Sequence, residues 1–256
     1  MSLAKYFLFF SCAALIGACS STVSSEDEDE ISSTSSSSGK KQSSSSTKTN
    51  TKSSSSTEEQ DEECFGEPGK PWDGTTAKDF ACGAGTKLSP YIILTAEQLA
   101  KLSFVIGAND KDYQGKYYKL GADIILNDSK IIDDKGALVA DSSKLHKWTP
   151  IGNSSVAFTG SFDGDNHTIS GMFINTTSSH NGLFGNSSGT IENLTVADSW
   201  VMGNERTAGI VGNNTGTLKK LTNKASITSP KGPIGGVAGS SNDSYGKTNL
   251  VDSVYN

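Results

Sequence analysis

The chain has 256 residues, 22 Lys plus Arg against 28 Asp plus Glu, four Cys and 27 Gly, with a formal net charge of −6. That length allows one or two domains with a modest core, and the charge leaves no basic surplus to neutralise phosphates, which argues against a nucleic-acid partner. Residues 20–63 hold ten acids against four lysines, so the acidity belongs to a tail and residues 64–256 sum to about −1.

Residues 1–18 carry one cation, Lys5, then an apolar stretch from Tyr6 to Ile16 and small residues ahead of Cys19. The stretch is too short for a membrane span of roughly 18 to 20 residues but suits a secretory signal. Leu15-Ile16-Gly17-Ala18-Cys19 resembles the lipobox of bacterial lipoproteins. The resemblance implies cleavage before Cys19, acylation of that residue, and a bilayer anchor to which each buried CH2 contributes about 0.8 kcal/mol. A soluble secreted protein cleaved near Ala18 is the alternative. Cys12 would leave with the signal and Cys19 would take lipid, so Cys64 and Cys82 remain and are expected to form one disulfide. A metal pair is the other reading, although neither residue sits in a CxxC and no His lies nearby.

Residues 19–63 are expected to be a disordered linker. Between Ser20 and Thr57 there are 18 Ser and six Thr, with Val23 and Ile31 the only apolar residues, and such a stretch cannot offset its conformational entropy by burial. A flexible chain of about 44 residues has an end-to-end distance of about 35 to 40 Å, enough to lift a domain off a membrane. The run Glu26 to Glu30 behind Cys19 resembles acidic export signals of surface lipoproteins, and reads equally well as a solvated charge block. Ser20, rather than Asp, after the lipid residue resembles an outer-membrane sorting choice. The address implied is a lipid-anchored, surface-exposed protein of a bacterial outer membrane.

The folded body is expected from about Cys64, with an N-terminal cap over 64–150 and repeats over 151–256. Pro90 to Leu94 reads as a strand. Thr95-Ala96-Glu97-Gln98 is a capping-box pattern, and Leu99, Leu102, Val105 and Ile106 at helical spacing predict a helix ending near Gly107. Tyr117 to Leu126 alternates as one further strand.

Beyond Trp148 the sequence repeats itself. Gly182-Leu183-Phe184-Gly185, Gly209-Ile210-Val211-Gly212 and Gly236-Val237-Ala238-Gly239 recur at intervals of 27 residues. Gly189-Thr190-Ile191 with Leu194 and Val196 matches Gly216-Thr217-Leu218 with Leu221, and Thr168-Ile169 with Met172 and Ile174 reads as a copy 22 residues before Thr190. Each copy is too small to bury its own apolar face, so the copies should stack as a right-handed parallel β-solenoid. Ile191, Leu194, Val196, Leu218, Leu221, Leu183, Phe184, Ile210 and Val211 should point inward, and the glycines should supply positive φ and close approach at the corners. Gly-Leu-Phe-Gly with the downstream Gly-Thr-Ile resembles the GLUG motif. The run leading into it also matches what precedes such repeats: Pro90-Tyr91, Thr95 to Leu99, Tyr117 to Leu126, Trp148 to Gly152, and Phe158 to Gly164. GLUG repeats occur in bacterial surface proteins, among them filamentous adhesins and immunoglobulin A metalloproteases, and the resemblance implies a surface β-solenoid without implying catalysis.

Candidate chemistry is sparse. The three histidines, His146, His167 and His180, form no His-Glu-x-x-His, so a zinc peptidase is not carried over. Ser241 to Thr248 lacks the first glycine of a phosphate-binding loop. Asp163, Asp165, Asn166 and His167 could coordinate calcium or touch a sugar, but the turn between Phe162 and Ile169 is the better reading. The acids Glu192, Asp198 and Glu205 are scattered, whereas a glycosidase wants paired carboxylates. Asn175, Asn193 and Asn213 head Asn-x-Ser/Thr triplets, which beside a lipobox read as turn and corner residues. The sequence therefore predicts no catalytic residue, cofactor or metal, and a non-catalytic surface module binding an extracellular polymer, cell or protein. A polysaccharide-active β-helix enzyme and a purely structural stalk are the rivals. The unfinished third repeat predicts either a truncated form of a longer chain or end-to-end pairing through the last coil.

Overall fold

The structure is a computed structural model and describes residues 64–128 and 130–241, all within one unit of the chain, Glu58–Asn256. Cys19, the residues read as signal and linker, and the remainder of the unfinished third repeat lie outside the described residues.

Thirteen strands and one helix are present among them: β1 (Tyr91–Ile93), α1 (Ala96–Gly107), β2 (Tyr117–Leu120), β3 (Ile124–Ile125), β4 (Ser161–Asp163), β5 (Thr168–Ser170), β6 (Phe173–Asn175), β7 (Phe184–Ser187), β8 (Thr190–Met202), β9 (Thr207–Ala208), β10 (Val211–Asn214), β11 (Thr217–Thr228), β12 (Ile234–Gly235) and β13 (Ala238–Ser241). Every ladder between these strands is parallel, and they build a β-solenoid of about six turns. The long face stacks β1, β2, β4, β8 and β11, with β3, β5 and β6 continuing its lower coils; β7, β10 and β13 form the second face, and β9 and β12 the third.

Register follows the 27-residue period. Phe184 pairs with Val211 and Val211 with Ala238, while Thr190 to Ala197 pairs residue by residue with Thr217 to Lys224. Side chains alternate in and out along a strand, so one register stacks like on like. The inner column Tyr118, Phe162, Ile191, Leu218 is buried throughout. All nine residues expected to point inward are at most 2% exposed. Phe184 packs against Phe158 and Phe162 at ring distances of 5.2 and 5.3 Å, and one continuous apolar core runs from Phe80 to Val237. The parallel stacking thus already includes β1 to β3, ahead of residue 151.

The helix caps as its sequence dictates. Thr95 Oγ1 accepts from Gln98 N, the Gln98 side chain accepts from Thr95 N, and Leu99, Leu102 and Ile106 enter the core. Gln98 Nε2 also donates to the Phe65 carbonyl at 3.1 Å, tying the helix start to the segment behind Cys64. Cys64 and Cys82 are joined as a disulfide, which removes the metal-pair alternative.

Three expectations need correction. Tyr117 to Leu126 is two strands, because the chain turns at Gly121, where a Cβ would meet Leu94 Cδ2 at 2.8 Å, and Asp123 faces the next coil. Thr168 stacks on Thr195, and it is Ser161 that stacks on Thr190, so the earlier copy lies at 29 and 27 residues rather than 22. The cause is the Gly164 to His167 turn, in which Asp165 and Asn166 adopt φ of 48° and 66° and break one long strand into β4 and β5. Of the six repeat glycines, Gly182 alone has positive φ. Gly185 and Gly212 serve clearance: a Cβ there would lie 2.5 Å from the Gly152 carbonyl oxygen and 2.6 Å from that of Arg206.

Candidate functional site

Left-handed corners fall to polar side chains rather than to the repeat glycines. Asn193 and Lys220 have φ of 54° and 49°, and His180 and Arg206 have 67° and 51°, so equivalent corners of successive coils share the conformation. Buried asparagines brace other corners. Asn223 takes the inner column position that Ile169 and Val196 fill in lower coils, and its Oδ1 accepts from Ala225 N at 3.2 Å. Asn214 closes on Gly216 in the same way. Asn127 accepts from His146 N at 2.8 Å and donates to His146 O and Gly171 O, which pins both ends of the excursion between them. That excursion folds Ile131, Ile132 and Leu138 over the stacked rings of Phe173 and Trp200 on the outside of the coil, 5.6 Å apart.

The outer face of the long sheet carries a charged row. Lys119, Asp163, Glu192 and Lys219 are successive register partners, and Lys219 Nζ lies 3.7 Å from Glu192. Around it the polar cluster expected at 163–167 is engaged as a turn. Asp163 Oδ1 accepts from Asp165 N and from Asn193 Nδ2, each at 2.9 Å, and Asp165 pairs with Lys119 at 3.1 Å. His167 Nδ1 meets Asp123 at 3.1 Å. Asp123 also accepts from Thr168 N at 2.9 Å, and chiefly this amide, then His167, holds its carboxyl below the usual range. Among the described residues no three His, Cys, Asp or Glu side chains come together as ligands for an ion.

The three histidines stand apart. His146 packs against Trp72 at 5.7 Å, His167 faces Asp123, and His180 meets Arg206, whose Nη1 lies 3.1 Å from His180 Nε2. A guanidinium only donates, so Nε2 accepts and the neutral ring carries its proton on Nδ1. Nδ1 is buried beside the Ser179 backbone without a completed hydrogen bond. Burial first, and the Arg206 charge second, push the His180 pKa down. Asn193 is a corner residue, and Asn175 is exposed at the end of β6. Asn213 departs from the corner expectation: it lies within β10, where its amide donates to Asn186 Oδ1 of the next coil at 3.0 Å, as stacked amides do. Of the Ser241 to Thr248 loop only Ser241 is described, as the end of β13.

The concavity beside α1 was not foreseen, and one of equal volume lies at 223–236. A cavity of about 470 Å³ opens between the end of α1, the segment 147–154 and the segment 174–181; a second, of about 320 Å³, adjoins Trp72 and Phe104. The two share Ser103, Lys147, Trp148 and Thr149 in their walls. Trp148 Nε1 donates to Leu183 O and Ser103 Oγ donates to Thr149 O, which fixes this shared wall to the coil beneath.

No protein-family profile matches the chain, and no solved structure matches it. Two curated proteins do. A Gly-rich membrane protein of Evansella cellulosilytica is 32% identical over 125 residues, covering 48% of this chain and 12% of that protein. Halomucin of Haloquadratum walsbyi is 34% identical over 137 residues, covering 51% of this chain and 1% of halomucin. The chain therefore spans a small fraction of the length of the relatives it matches. No helix among the described residues is long and apolar enough to cross a membrane.

Proposed function

We propose that the protein is a non-catalytic lipoprotein of the bacterial cell surface. In this reading an acylated Cys19 holds it at the outer membrane, the Ser-rich linker carries it outward, and the GLUG-type solenoid presents its flanks for adhesion to an extracellular polymer, cell or protein. The observation that carries the reading is the in-register stacking of polar rows on the outside of a coil whose inside is filled: Lys119, Asp163, Glu192 and Lys219 form one such row, and Asn186 with Asn213 another. Repetition of one coil builds an extended surface without a closed reaction chamber, as solenoid binding proteins do. The name of one relative, a membrane protein, supports a membrane address.

The test joins fractionation to display. The full chain should partition into detergent and be cleaved by protease added to intact cells, and Cys19→Ser should release it into the soluble fraction. Panels of matrix proteins and polysaccharides should then retain cells that display the chain over cells that do not. A chain that stays detergent-associated after Cys19→Ser, or is shielded from protease in intact cells, would overturn the address; equal retention of both cell types would overturn the adhesive role.

A further inference from the structure

The cleft between α1 and the first full coils differs from the other acid-free hollows, at 223–236 and 109–159, in bringing aromatic rings to a lysine and amides. Its two cavities fall within the roughly 300 to 1,000 Å³ of small-ligand sites, and they adjoin along one wall. No carboxylate lines either, although the body as a whole is slightly acidic. Lys147 lies in the shared wall, exposed, and like most lysines of the body it has no ion-pair partner among the described residues.

At one end stand two rings. Phe104 is 68% exposed on α1, an unusual position for a residue of that size, and Trp72 is half-buried, its indole N–H held by the Thr75 carbonyl at 2.6 Å and its ring in edge-on contact with Trp148 at 5.8 Å. At the other end are neutral polar groups. The Asn153 carbonyl is spent on the amides of Ser155 and Val156, which leaves its NH2 to donate outward, and Asn175 is exposed beside it in the cavity wall. Two rings, a cation and amide donors with no competing acid match one ligand chemistry. The C–H face of a sugar ring lies on an aromatic plane, hydroxyls pair with amides, and an anionic substituent pairs with an ammonium.

We propose that this cleft binds a short segment of an acidic polysaccharide, with Phe104 and Trp72 under one sugar ring, Lys147 on a carboxylate or sulfate, and Asn153 and Asn175 on hydroxyls. The inference rests on the polymer-binding reading above and names its ligand class. Rigid walls and a ligand taken from a repeating polymer favour weak single-site binding strengthened by many anchored copies.

The experiment is calorimetric titration of the full chain in detergent micelles with three oligosaccharides of equal length: an oligogalacturonide, a sulfated galactan fragment and a neutral galactan fragment. At least one acidic fragment should bind at least tenfold more tightly than the neutral one, and which of them does so separates carboxylate from sulfate recognition. Lys147→Ala should weaken that binding at least tenfold and flatten its salt dependence, and Phe104→Ala should weaken it at least fivefold. Both residues are exposed, so the fold should persist, which circular dichroism checks. Lys224→Ala, an exposed lysine outside the cleft, should leave binding within twofold. Equal affinity for neutral and acidic fragments, equal losses in Lys147→Ala and Lys224→Ala, or no binding of any fragment each overturns the proposal. Retention of displaying cells on a protein ligand with no fragment bound would remove the cleft assignment alone; loss of surface exposure with fragment binding intact would remove the surface reading alone.

Discussion

Gly212→Ala separates two reasons for a glycine. Its φ is not in the left-handed region, so on backbone grounds alanine is tolerated and should stabilise by about 0.4 to 1 kcal/mol through the unfolded chain. Clearance says the opposite. A Cβ at 212 would stand 2.6 Å from Arg206 O, 2.6 Å from Asn181 N and 2.7 Å from His180 C, all backbone atoms, where ordinary contact begins at 3.4 Å. About 0.8 Å must be found by moving one coil against another, and overpacking of that kind costs about 1 to 3 kcal/mol. With three backbone neighbours the cost should lie at the upper end of that range, for a net loss of about 2 kcal/mol, or about 4 to 8 °C in midpoint for a body of this size. Gly115→Ala isolates the conformational term, because Gly115 has φ of 67° and open space around it; it should lose about 1 kcal/mol. Gly107→Ala, at the helix end with no positive φ and only Asn153 Nδ2 at 4.0 Å, should be neutral or stabilising by up to about 1 kcal/mol. Urea unfolding of the Cys19→Ser chain followed by circular dichroism measures all three. If Gly212→Ala matches or exceeds its parent in stability, the clearance argument for the repeat glycines is wrong.

Removal of the Cys64 to Cys82 bridge, which spans 18 residues, should cost about 3 kcal/mol in the same assay, and non-reducing peptide mapping should recover the linked pair. Because its folded pKa is depressed, His180 binds fewer protons folded than unfolded below the ordinary histidine value near 6.5; stability should be full above that pH and fall as pH drops from it toward the folded pKa. His180→Gln should flatten that slope, and an NMR titration should show the His180 pKa rising in Arg206→Gln. Trp200→Ala, which removes the ring stacked on Phe173 beneath the excursion, should cost about 2 to 3 kcal/mol and speed proteolysis between 130 and 145. A cleavage rate equal to the parent's would show that the excursion is held by its Asn127 base alone.

The coil was legible where physics demands one residue type. Gly185, Gly212 and Gly239 recur because backbone crosses backbone at that place in every coil, and Phe184, Val211 and Ile191 recur because the inside is dry. Where several side chains satisfy one need, the pattern dissolves. A left-handed corner takes Asn193 in one coil and Lys220 in the next, and an inner column takes Ile169, Val196 and then Asn223, because Asn223 carries its own hydrogen-bond partners with it. The register of the first full coil was misread for a related reason. The Gly164 to His167 turn changes the spacing between two strands without changing their apolar alternation, and alternation alone does not count residues across a turn.

The cleft lay beyond sequence reading because nothing in it repeats. Trp72, Phe104, Lys147 and Asn175 come from four segments spread over a hundred residues, and they meet only because the helix replaces one side of a coil and the segments 147–154 and 174–181 bulge where later coils carry plain strands. Further along the coil the corresponding segments pair as the short strands β9 and β12. A repeat that stacks without interruption offers a row of equal positions and selects among ligands weakly; an interruption supplies walls of different chemistry at fixed spacing. The proposed cleft thus sits where the period fails, at irregular segments that the regular coils position through the hydrogen bonds of Trp148 and Ser103.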